Sequence, residues 1–136
     1  MKKLFILATA LCLQTAIAQA EVIVIGNPSV KTTLSQAEVK NLFLGKRLAL
    51  PDGTKIEVVE LAKDSSVREE FHSKFTKKTQ SQLNSYWSRL IFTGKGKMPK
   101  EVSDSKELIN MIASNPEIIG YIDSSEITTD VVVLAK

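Results

Sequence analysis

Val22-Ile23-Val24-Ile25-Gly26-Asn27-Pro28 is the stretch on which the fold turns. Four successive β-branched residues with no polar alternation read as a strand buried on both faces, and Gly-Asn-Pro supplies the turn chemistry that stops it. Ser35, with Glu38 three residues later, then forms a capping box, and Val39, Leu42 and Phe43 follow at helical spacing until Gly45. The spacing predicts a helix of about ten residues. A strand apolar on both faces, followed by an amphipathic helix, points to an α/β layered domain.

Downstream the alternation continues. Leu48 to Leu50 and Ile56 to Leu61 are short extended runs around a Pro51-Asp52-Gly53 turn, predicting a hairpin or a strand entered through a tight turn. Ser66 and Glu69 stand in capping-box register, with Val67, Phe71 and Phe75 on one apolar face, while Lys77 and Lys78 suit that helix's C-terminal end. Thr79 and Gln82 start a third helix that should turn Leu83, Tyr86, Trp87, Leu90 and Ile91 inward. Thr93 to Lys100 reads as a basic, glycine-punctuated loop, and a fourth helix from about Ser105 to Ser114 ends at Asn115-Pro116. Ile118 to Ile122 and Val131 to Leu134 complete the strands. The expected fold is a small mixed sheet flanked by about four helices.

Upstream of Val22, Lys2 and Lys3 lead an apolar run from Leu4 to Leu13, and Ala18-Gln19-Ala20 is a small-x-small cleavage site. Residues 1–20 are thus expected to be a secretory signal peptide and residues 21–136 the single domain. The run is shorter than the roughly 20 apolar residues a spanning helix needs, so the mature chain is expected to be periplasmic with no membrane insertion. Cleavage takes the Lys and Arg count from 18 to 16 against 15 Asp and Glu, and removes Cys12, the one cysteine. A net charge this close to zero argues against a nucleic-acid partner. Loss of the thiol excludes disulfides, cysteine-ligated metal and thiol chemistry.

The remaining chemistry is sparse. A single histidine, His72, falls one position off the Phe71 and Phe75 stripe and reads as a helix-surface residue. There is no Gly-x-Ser-x-Gly elbow for a nucleophile, and Gly94-Lys95-Gly96-Lys97 lacks phosphate-loop spacing. No enzyme, cofactor or metal site is therefore expected. The strongest signal is Lys63-Asp64-Ser65-Ser66-Val67-Arg68 at a helix start, where unpaired N–H groups favour an anion and Ser65, Ser66, Arg68 and Lys63 add donors and charge. On these residues alone, a plain cap with Arg68 on the solvated face is the simpler account.

Four pieces in order bring in a resemblance. Leu42-Phe43-Leu44-Gly45-Lys46 with Pro51-Asp52-Gly53, the Asp64 to Phe71 stretch, Trp87 to Gly94, and Ile118-Ile119-Gly120-Tyr121-Ile122 are together similar to segments of the periplasmic phosphate-binding proteins of ABC transporters. The resemblance implies one lobe of a type-2 periplasmic binding-protein fold. It also implies a non-catalytic solute-binding module for phosphate or a similar oxyanion, held weakly by Ser65, Ser66, Arg68 and Lys63 and linked to phosphate transport. Two lobes of that class need roughly 250 to 350 residues, so this chain supplies about one. The alternative is a single-lobe structural or interaction module that has lost its ligand. Its uncovered face, with Tyr121 and the Gly94 to Pro99 loop, would meet an envelope protein partner or a second copy in a homodimer.

Overall fold

The computed structural model describes residues 20–136, and the expected leader lies outside them apart from Ala20. In chain order the elements are β1 (Val22–Gly26), α1 (Gln36–Phe43), β2 (Glu57–Leu61), α2 (Ser66–Phe71) running into a π-helical turn (His72–Thr76), and α3 (Gln80–Phe92). After these come β3 (Lys100–Val102), α4 (Ser105–Ser114), β4 (Ile118–Asp123), a 3₁₀ turn (Ser124–Glu126) and β5 (Val132–Ala135). Among the described residues no helix is long and apolar enough to cross a membrane.

The capping residues set where the helices begin. Ser35 Oγ accepts from Glu38 N at 3.2 Å while Glu38 returns a bond to Ser35 N at 2.8 Å, and Thr79 and Gln82 repeat the arrangement for α3. Asp104 caps α4 through Glu107 N at 2.8 Å. In α2 the cap is Ser65, whose Oγ accepts from Arg68 N at 3.4 Å, so the expected Ser66–Glu69 register is corrected by one residue.

The five strands form one mixed sheet in the order β3-β2-β4-β1-β5. β2 runs parallel to β3 and β4, whereas β1 is antiparallel to β4 and β5. All of β1 is buried, as is β4 up to Ile122, which matches their unbroken apolar runs. Of the two expectations at Pro51-Asp52-Gly53, the strand entered through a turn is realised as β2, and the hairpin only as an isolated bridge between Ala49 and Lys55. β3 begins at Lys100, the last residue of the segment expected to be loop, and continues beyond it.

Phe71 anchors the core, stacked on Tyr121 with ring centroids 4.0 Å apart and in contact with Phe43 and Phe75 at 4.5 and 5.1 Å. Gly120 lets α4 approach β4, because a Cβ there would meet both Leu108 methyls at 2.8 Å. Tyr121 is fully buried, which overturns its expected place on an uncovered face. A smaller cluster joins Leu44, Leu83 and Trp87. Gly45 turns beside it with φ +69°, a conformation that favours glycine. α3 packs through Leu83 and Trp87, with Tyr86 and Leu90 partly buried beside them, whereas Ile91 is 49% exposed rather than inward.

Candidate functional site

Residues 68, 71, 72, 75 and 76 show how α2 and the π turn present a buried face two rows wide. Phe71 and Phe75 form the apolar row, while Arg68, His72 and Thr76, four residues apart, form a polar row that is equally buried. The polar row is tolerated because Glu60 of β2, 1% exposed, lies opposite it. Glu60 Oε1 meets His72 Nε2 at 2.5 Å and accepts the Tyr121 hydroxyl at 3.1 Å, and its Oε2 lies 3.7 Å from Arg68 Nη2. Arg68 Nη1 donates at 2.9 Å both to Leu61 O and to Glu101 Oε1. The expected surface position of His72 is thus corrected. The apolar period marks one row, and nothing local reveals that β2 carries a carboxylate facing the next.

The protons follow from the donors. Leu61 N donates to the Tyr121 oxygen at 3.3 Å, so that hydroxyl directs its own hydrogen to Glu60. The Thr76 hydroxyl donates to His72 O at 3.2 Å, which leaves its oxygen to accept from His72 Nδ1 at 2.8 Å. With Nδ1–H assigned in this way, Nε2 is the ring nitrogen that faces the Glu60 carboxyl group. The Arg68 guanidinium offsets charge on both Glu60 and Glu101. Burial first, and the Glu60 charge second, push the Tyr121 phenol far above its ordinary range.

One donor stands outside this balance. Among the described residues, Arg68 Nε is buried without a hydrogen-bond partner. Arg68 also lines a cleft of about 530 Å³ between α2, the π turn and the start of α3. Lys63, Lys77, Lys78, Thr79 and Gln80 border the same cleft. Lys77 ends the π turn in the left-handed conformation, φ 58°, with its N–H on His72 O at 2.7 Å. None of the three lysines forms an ion pair among the described residues. The Thr79 capping box satisfies Gln82 N, while the first-turn N–H groups of Gln80 and Ser81 have no intrahelical acceptor.

The structure therefore brings Lys63 and Arg68 of the expected site together and sets the serines apart. Ser65 caps α2 outside the cleft lining, and Ser66, the exposed first residue of that helix, borders a shallower surface with Glu69, Glu70 and Lys74. Arg68 is buried and paired rather than on a solvated face. Lys77 and Lys78 escaped the sequence reading because they suited the end of the preceding helix equally well. The available signal was two lysines directly before a capping box. No group of three or more metal-ligating side chains occurs among the described residues.

The fold, a five-stranded mixed sheet with four helices, is that of one lobe of phosphate-binding proteins, as expected from the sequence. The chain is similar to a phosphate ABC transporter substrate-binding protein with bound phosphate from Clostridium perfringens, at TM-score 0.68 and 17% identity, over 85% of this chain and 44% of that one. An ABC-type phosphate transport receptor from Vibrio cholerae matches at TM-score 0.67 and 16% identity, over 85% and 45% of the two chains. PstS from Borrelia burgdorferi matches at 0.62 and 16%, over 85% and 47%. The chain spans under half the length of these proteins. No protein-family model matches it, nor does any curated protein.

Proposed function

We propose that the chain is an exported, non-catalytic module that binds phosphate or a similar oxyanion weakly in the cleft between α2 and α3, in the service of phosphate transport. The observation that carries this reading is a cleft lined by Arg68, the start of α3 and Lys63, Lys77 and Lys78, the three lysines forming no ion pair among the described residues. A tetrahedral oxyanion offers acceptors to these ammonium groups, and the dipole of α3 favours negative charge at that end. Lys63 and Arg68 are kept from the sequence-derived set, and Lys77, Lys78 and the first turn of α3 take the place of Ser65 and Ser66. The neighbouring structures support the reading, being a phosphate ABC transporter substrate-binding protein with bound phosphate and an ABC-type phosphate transport receptor.

With ligands from a single lobe, the ion keeps part of its hydration, so affinity is expected near about 1 mM; such a site adds about 2.7 kcal/mol of stability at roughly 100 mM phosphate. The test is denaturant unfolding of the exported protein, whose mass should begin at Glu21, in phosphate and in chloride of equal ionic strength. Phosphate should raise stability above chloride, and Lys77→Gln/Lys78→Gln should remove most of that increment without changing the chloride baseline. No increment over chloride in the parent would reject oxyanion binding in favour of a module that has lost its ligand. Equal increments in parent and variant would reject this cleft.

A further inference from the structure

We propose that an apolar tip flanked by exposed cations docks this protein on an anionic lipid surface. Exposed apolar side chains lie on the turn after α1, at the C-terminal end of α3 and on the loop that follows it. Leu48 is 72% exposed and Phe92 92%, with Ile91 and Met98 also exposed. A groove of about 260 Å³ places Arg47 and Leu48 beside Trp87, Lys97 and Met98. Ile91 continues the Trp87 face one helical turn on, and the loop folds back along α3 through Gly94 N to Ile91 O at 3.0 Å and Lys95 N to Leu90 O at 2.8 Å.

Lys46, Arg47, Lys95, Lys97 and Lys100 are exposed around these side chains, and none forms an ion pair among the described residues. Glu57 is the carboxylate bordering the groove. Projecting apolar side chains flanked by lysines suit the boundary between anionic headgroups and acyl chains, where the apolar groups enter and the ammonium groups stay with phosphate. The short reach of Leu48, Phe92 and Met98 makes this a shallow contact, not a membrane span.

The test uses the chain from Glu21, which carries every strand and helix of the fold, in co-sedimentation with phosphatidylcholine vesicles with and without phosphatidylglycerol. The protein should bind the anionic vesicles at low salt, release them as salt rises, and leave neutral vesicles largely free. Phe92→Ser and Leu48→Ser should each weaken binding by about tenfold, and Lys95→Glu/Lys97→Glu by at least as much. Because all four side chains are exposed, these variants should keep the parent's unfolding transition. Lys77→Gln/Lys78→Gln, which changes the oxyanion cleft instead, should bind vesicles like the parent. No binding to anionic vesicles, binding indifferent to lipid charge, or loss through the Lys77 and Lys78 variant alone would overturn the proposal. Concentration-dependent self-association abolished by Phe92→Ser, without vesicle binding, would overturn it in favour of a second copy on the same tip.

Discussion

Glu60 is the side chain around which the polar interior is arranged, and its partners determine which substitutions are informative. Removing Arg68 would leave Glu60 without its buried cation and release Glu101, a change of the kind that costs about 3 to 5 kcal/mol. Arg68→Ala therefore tests folding before it tests anion binding, and Lys77 and Lys78, which form no ion pair among the described residues, are the better probes. Tyr121 gives a cleaner reading through pH. Its phenol is raised by burial and then by Glu60, so in the unfolded chain it ionises near the ordinary value of 10.0 while in the folded chain it stays neutral. The stability it contributes is complete below that pH and is lost as pH rises above it, because the unfolded state then binds fewer protons. Tyr121→Phe should lower stability at neutral pH by about 1 to 3 kcal/mol, since Leu61 N and Glu60 lose a partner. It should also flatten the alkaline decline measured by unfolding between neutral pH and about 11. An alkaline slope identical to the parent's would show that the phenol is not held neutral by this network. Tyr121 was legible from the sequence as part of a strand; its hydroxyl's partner on β2, 61 residues away, was not.

Element boundaries separate what is local from what is not. Ser35, Thr79 and Asp104 act through residues three positions on, which is why α1, α3 and α4 begin close to where the spacing placed them. Two adjacent serines at the start of α2 offer two registers, and the choice of Ser65 goes with burial of Arg68 and Phe71 on the sheet side. Ser65→Ala should accordingly cost about 1 kcal/mol in chemical denaturation, whereas Ser66→Ala, which makes no cap bond, should stay within about 0.5 kcal/mol. The reverse order would restore the Ser66 register. The π turn that follows wraps His72, Phe75 and Thr76 together against the interior, and a periodicity count has no term for such a local change of pitch. β3 went unread for another reason. Three residues, two of them charged and exposed, become a strand only because β2 offers a parallel edge.

At the scale of the whole molecule, Phe71 links α2 to α1 and β4 by touching Phe43, Phe75 and Tyr121 while fully buried. Phe71→Ala should lower unfolding free energy by about 3 to 5 kcal/mol, and a loss under about 1 kcal/mol would mean that the helix does not pack on the sheet as described. The sequence by itself determined the α/β alternation, the helix starts, the dominant apolar side chains and the likeness to a phosphate-binding lobe. These rest on periods of two and 3.6 residues and on contacts between near neighbours. Tertiary structure alone decided the strand order, the antiparallel placement of β1, the burial of Arg68, His72 and Tyr121 around Glu60, and the meeting of Lys63 with Lys77 and Lys78. Each of these joins elements that fold apart in sequence, and a charge's role depends on which opposite charge packs against it, a distance in space that no spacing along the chain encodes.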